Sequence, residues 1–202
     1  WASAQQVDTL IVGWLADPAS AGMYHIAKRI GRVVLQVGSH IQAVVYPDLT
    51  RQWASGDRTD FVKLIQQTEL ILMAFGATCF VAAWSLGGLA LRLTAGPAFA
   101  AAAPLLTIQI IAVSLTVSGA ASRAGLLAMD RQPAVLRTVL AAAATFYCMV
   151  GPLVTLFGAM GANLAHILFG LVWLGGLTIA LRSGLRTSAA SSKTAEPGAE
   201  QA

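Results

Sequence analysis

Apolar residues run in four long stretches along this chain, over residues 70–91, 104–127, 138–157 and 162–181. Each is about 20 residues or longer, the length a helix needs to cross about 30 Å of hydrocarbon. None alternates in the way barrel strands do, and only helices or closed barrels satisfy the backbone in lipid. Two further helices precede these runs, a short one over residues 4–16 and a polar-striped one over residues 23–46. Six helices are therefore predicted, over residues 4–16, 23–46, 61–92, 104–128, 134–157 and 162–182. The turn signals between them are Asp17-Pro18 with Gly22, Pro47 with Gly56-Asp57, Gly96-Pro97, residues 129–133, and residues 158–161. Trp53, in the polar stretch 48–60, suits a headgroup anchor. Residues 183–202 are Ser, Ala, Thr, Lys, Glu and Pro without periodicity, the pattern of a disordered tail.

The second helix breaks the apolar pattern. His25, Lys28, Arg29, Arg32, Gln36, Ser39 and His40 recur every three to four residues among Ile, Val, Leu and Ala. At about 100° per residue they share a face on the order of 120° wide, and they extend roughly 22 Å at 1.5 Å per residue. Lipid does not solvate three cations, so such a face looks into protein or a hydrated cavity. Three readings stand side by side. Lys28 and Arg29, one turn in, are long enough to snorkel to the interface. Asp8, a lone carboxylate in the first helix, needs a cationic partner, which an Arg of the stripe would supply. The third is a polar cavity that attracts an anion, with Lys28, Arg29 and Arg32 offering charge and Gln36, His40, Ser39 and Gln42 neutral hydrogen bonds.

Composition agrees with a polytopic helical membrane protein: 56% of residues are hydrophobic and 11% charged, with a mean hydropathy of +0.69, against about 25% charged in ordinary soluble domains. The pI near 9.5 does not indicate nucleic acid, because the thirteen Lys and Arg are scattered between spans. Six spans would put Arg51, Arg58, Lys63, Arg131, Arg137, Arg182, Arg186 and Lys193 on one side, which the positive-inside rule makes cytoplasmic. Lys28, Arg29 and Arg32 then enter from the other side, where topology does not ask for them. Trp1 stands where a chain would begin with Met, and the chain reads as a fragment lacking its amino-terminal part.

Other chemistry is thin. Cys79 and Cys148 sit in apolar runs and read as small buried hydrophobes. His25 and His40 are too far apart to share a metal, and no cofactor or metal site is read. His166, near Asn163, reads as a helix–helix hydrogen bond. Glu69 reads as interfacial, and Arg123 either snorkels or reaches the cavity. There is no H-E-x-x-H, G-x-S-x-G or phosphate-binding Gly loop, so an enzyme is not expected. Small residues at 118–122, with Gly161 and Ala165, let helices approach closely.

Several short motifs follow one another across residues 7–181, and their order and spacing carry a resemblance. They are Val7-Asp8-Thr9-Leu10-Ile11-Val12-Gly13, Ala21-Gly22-Met23-Tyr24-His25-Ile26-Ala27-Lys28-Arg29-Ile30, Tyr46-Pro47-Asp48-Leu49 with Gly56-Asp57, Ala95-Gly96-Pro97-Ala98-Phe99 with Ala102, and Gly158-Ala159-Met160-Gly161-Ala162. In these the chain resembles the carboxy-terminal half of bacterial polysaccharide (O-antigen and exopolysaccharide) flippases, within the multidrug/oligosaccharidyl-lipid/polysaccharide exporter superfamily. It departs at Asp130, where the family often has Gly. The resemblance implies an all-α membrane protein in which residues 1–182 form one lobe of a two-lobed, roughly twelve-helix bundle in the bacterial cytoplasmic membrane. It implies flipping of undecaprenyl-diphosphate-linked oligosaccharide by alternating access. Its partners would be that lipid-linked substrate, membrane lipid, the missing amino-terminal lobe, a glycan polymerase and glycosyltransferases. The family's cationic cavity carries over to Asp8 and Arg29 on matched motifs, Asp8 as charge partner or coupling residue; Lys28 and Arg32 share their face. The alternatives are a lipid II flippase or cation-coupled drug exporter of the same superfamily, a membrane-embedded glycan polymerase or ligase, and a structural membrane subunit.

Overall fold

Every element in the structure, a computed structural model that describes residues 4–195 and side chains from residue 8 to residue 188, is helical. The order is α1 (Ala4–Leu15), α2 (Pro18–Ala54), α3 (Arg58–Ala95), a 3-10 turn (Pro97–Ala102), α4 (Ala103–Ser118), α5 (Ala120–Ala128), α6 (Gln132–Phe157) and α7 (Ala159–Ala195). Four stretches are long and apolar enough to cross a membrane: α3, the 3-10 turn through α5, α6, and α7 up to Ser188. Among the described residues α1, at 12 residues, is too short by itself, and the polar row of α2 lowers its hydropathy below that of these four. Their outer faces are apolar, with Trp84 74% and Leu93 78% exposed. Water would penalise such surface and acyl chains would not. Cys148 belongs to this surface: it is exposed rather than buried, and Cys79 is half-buried.

Local chemistry sets the boundaries. Pro18 opens α2 where a missing N–H costs nothing. Asp17 caps it, accepting from the Ser20 backbone N–H at 2.8 Å and its hydroxyl at 2.6 Å. Those Ser20 donors hold the Asp17 carboxyl below the usual carboxylate range. The expected stop at Pro47 does not occur, and α2 continues to Ala54. A helix-interior proline removes one hydrogen bond and crowds the preceding turn. Here fully buried Leu49, just beyond it, anchors the last turns. The reversal comes instead at Gly56, whose φ of 81° suits a residue without Cβ. Across that turn the Arg58 guanidinium lies 3.4 Å from the Trp53 ring centroid, a cation–π contact. The predicted helix 104–128 is divided at Gly119 into α4 and α5. At the far end α7 runs on past Arg182 to Ala195, over residues that composition assigns to the tail; residues 196–202 lie outside the described residues.

Two apolar clusters hold the bundle together. One gathers Val12, Phe61, Phe146, Val154, Phe169, Trp173 and Leu177, mostly from α6 and α7. The other gathers Val34, Leu72, Leu106, Ile110, Val113 and Val117 from α2, α3 and α4. α4 is central, touching α2, α3 and α7. Gly31 and Gly38, seven residues apart on α2, bring that helix close onto α4. A Cβ built on Gly31 would lie 3.0 Å from Gln109, and one on Gly38 would lie 3.1 Å from Val117. Small residues at a helix crossing permit this approach, and it aims the polar row of α2 at the space between the two clusters.

Candidate functional site: a cationic groove beside a buried ion pair

Asp8 is fully buried in α1. Its carboxylate accepts from the Thr9 backbone N–H at 2.6 Å, the Tyr24 hydroxyl at 2.7 Å and the Lys28 ammonium at 2.6 Å. Lys28 also reaches the other carboxylate oxygen. His166 Nε2 of α7 stands 2.8 Å from Asp8 Oδ2. One carboxylate thus ties together α1, α2 and α7. A buried charge is tolerated only when paired and saturated with hydrogen bonds, and Asp8 meets both conditions. The partner expected from the stripe was an Arg. The structure supplies Lys28, which is 4% exposed and shares its buried edge of α2 with Tyr24.

Beside this cluster a groove opens between α2, α4, α6 and α7, in two cavities of about 290 and 620 Å³. Lys28, His166, Gln109, Phe146 and Phe169 are on the wall of the smaller one. Gln36, Ser39, Gln42, Arg123 and Trp173 are on the wall of the larger. Arg32 lines both. Among the described residues no carboxylate lines either wall. Asp8 neutralises Lys28 from behind, so the charge left over is that of Arg32 and, at the other end, Arg123. Arg32 has no hydrogen-bond or ion-pair partner among the described residues. A guanidinium fork so left is matched to a phosphate or carboxylate. Gln109 adds a second unmet demand: it is 4% exposed, and its Oε1 has no hydrogen-bond partner among the described residues.

The predicted stripe divides along its length. Arg32, Gln36 and Ser39 line the groove and Lys28 forms the ion pair, whereas His25, Arg29 and His40, exposed like the three groove residues, line neither cavity. Arg123 reaches the groove, donating to Gln42 Oε1 at 3.2 Å. Glu69 accepts a hydrogen bond from the Ser122 hydroxyl, joining α3 to α5. His166 does bridge helices, but to Asp8 of α1, while Asn163 donates to the Leu105 carbonyl at 2.8 Å. Gln109 and Trp173 are the groove residues that sequence reasoning missed. A lone Gln inside an apolar span was the available signal for the first; nothing marked Trp173, whose indole N–H donates to the Thr116 carbonyl at 3.2 Å.

No protein-family model, curated protein or solved structure matches the chain.

Proposed function

We propose that this chain is one six-span lobe of a flippase that moves undecaprenyl-diphosphate-linked oligosaccharide across the bacterial cytoplasmic membrane. The single observation that carries the reading is Arg32, an ion-free guanidinium on the shared wall of two cavities with no carboxylate on either. Intramembrane cations are costly and mark ligand or ion pathways. A diphosphate would give this fork the paired oxygens it is shaped for. The two spans beyond the four apolar ones would be α1 and α2, their polar groups satisfied inside the bundle rather than by lipid. A drug exporter for cations fits less well, because the one deeply buried carboxylate of α1 is saturated by its own donors and does not line the groove. Transport would be by alternating access with no chemical step, which makes the protein a carrier and not an enzyme.

The test separates two neighbouring arginines. In a strain lacking the native copy, Arg32→Gln is expected to lower surface polysaccharide about tenfold or more, as loss of a charge-assisted hydrogen bond of roughly 1.5–3 kcal/mol requires. Arg29→Gln, on the exposed edge of α2, is expected to keep most of it. Both are read against the amount of inserted protein. Normal export by a stably inserted Arg32→Gln variant would overturn the proposal.

A further inference from the structure

We infer that the larger cavity is a glycan subsite, in which the sugars of the ligand lie along the Gln36–Ser39–Gln42 edge of α2 while the anion sits at Arg32. The inference rests on the flippase reading and adds to it the direction in which the ligand lies.

The walls of the two cavities differ in the chemistry they offer. Past Arg32 on one side the smaller cavity meets Val113, Leu140, Phe146 and Phe169, and of its polar groups Lys28 and His166 are already engaged by Asp8. On the other side α2 shows the larger cavity an amide, a hydroxyl and an amide at three-residue steps, and α5 adds Arg123. A sugar ring carries hydroxyls around its rim and C–H groups on its faces, so it needs planar polar groups and a flat apolar surface together. Both are present. Gln42 Oε1 is already held by Arg123 at 3.2 Å, which fixes the amide plane and leaves its NH2 to donate. The Ser39 hydroxyl donates to the Gln36 carbonyl at 2.7 Å, leaving its oxygen lone pairs to accept. Gln36 has no side-chain partner among the described residues. Trp173 has committed its N–H to Thr116, so its carbon framework is what remains for a ring to rest on, and aromatic bodies of this kind favour such contact.

Size and charge agree. At about 620 Å³ the cavity falls within the roughly 300–1,000 Å³ of ligand sites, and the smaller one falls just short. From Arg32 to Gln42 is about 15 Å along the helix at 1.5 Å per residue, the reach of a short oligosaccharide. Among the described residues the charges on that wall are the two guanidiniums, Arg32 and Arg123, so a neutral, hydroxyl-rich segment attached to an anion fits it.

The test compares lipids that differ only in the sugar, using the full protein in detergent or nanodiscs. The probes are farnesyl diphosphate and farnesyl diphosphate carrying glucose, galactose or N-acetylglucosamine. Wild type is expected to bind at least one glycosylated lipid about tenfold more tightly than the bare one, the worth of one or two net hydrogen bonds. Gln42→Leu and Trp173→Phe are expected to reduce that ratio to about threefold or less. Arg32→Gln weakens all four lipids together. The ratio cancels any loss of folded protein, which is common to every probe. Equal binding of all four lipids by wild type, or an unchanged ratio in both variants, overturns the glycan subsite and leaves the anion site standing. Failure of wild type to bind farnesyl diphosphate, or an Arg32→Gln variant that binds all four normally, overturns the flippase reading and the subsite with it.

Discussion

Asp8→Asn is expected to destabilise the protein by about 3–5 kcal/mol, the range seen when one member of a buried ion pair is removed. Asparagine keeps the shape, but its single amide oxygen replaces only one of the two carboxylate oxygens that accept from Thr9 and Tyr24. It also takes the carboxylate charge away from the Lys28 ammonium, which is 4% exposed, and that is the larger loss. Lys28→Met alone likewise removes the ammonium from Asp8, leaving it the Thr9, Tyr24 and His166 contacts. The double variant Asp8→Asn/Lys28→Met removes both charges, and buried pairs replaced by uncharged groups of similar volume are often close to neutral. Thermal loss of monodisperse protein, measured for wild type, both single variants and the double, checks this. The expected signature is strong non-additivity, with the double more stable than either single. Additive losses would mean that the two residues stabilise the bundle separately.

The second large effect is steric. Gly161, at the start of α7, packs onto the backbone of α6. A Cβ built there falls 2.0 Å from the Leu153 carbonyl oxygen and 2.7 Å from the Val154 nitrogen. Those atoms belong to the helix itself and do not rotate aside. Gly161→Ala must therefore pry α6 from α7, with a cost at or above the roughly 1–3 kcal/mol of ordinary core overpacking. Gly175, further along α7, is the control. Nothing lies within 4 Å of its added Cβ, and alanine there should gain up to about 1 kcal/mol of helix propensity. The two variants differ by the same single methyl group. A Gly161→Ala protein as stable as wild type in the same thermal assay would refute the close packing of this helical hairpin.

The spans were legible because bilayer length is written directly into apolar runs, and α3, α6 and α7 cover the stretches those runs predict. That Asp8 needed a partner was legible too, since a carboxylate among Leu, Ile and Val has no other way to be satisfied. Which partner was not. Choosing Lys28 over an arginine depends on the edge of α2 that α1 packs against, and His166 reaches Asp8 only because α7 folds back beside α1. The stripe on α2 shows the limit of periodicity. It defines a face, yet the groove takes only one edge of it, Arg32, Gln36 and Ser39, and leaves Arg29 and His40 off both cavity walls. The edge is chosen by Gly31 and Gly38, whose contact with α4 no spacing rule singled out. At Pro47 and Arg182 composition predicted endings that the helices run through; neither local signal overrides a helix whose adjoining turns are anchored.

Asp8 also bears on the order in which the molecule is built. Its neutralising lysine follows 20 residues later in the chain, and its histidine contact 158 residues later. While translation is under way, α1 carries a carboxylate whose partners have not yet emerged, a poor group to place in lipid unaided. It must wait at the insertion machinery or the membrane surface until α2 offers its ammonium, and it gains its last fastening only when α7 has emerged. α1 thus leaves the ribosome before either of the residues that fasten it.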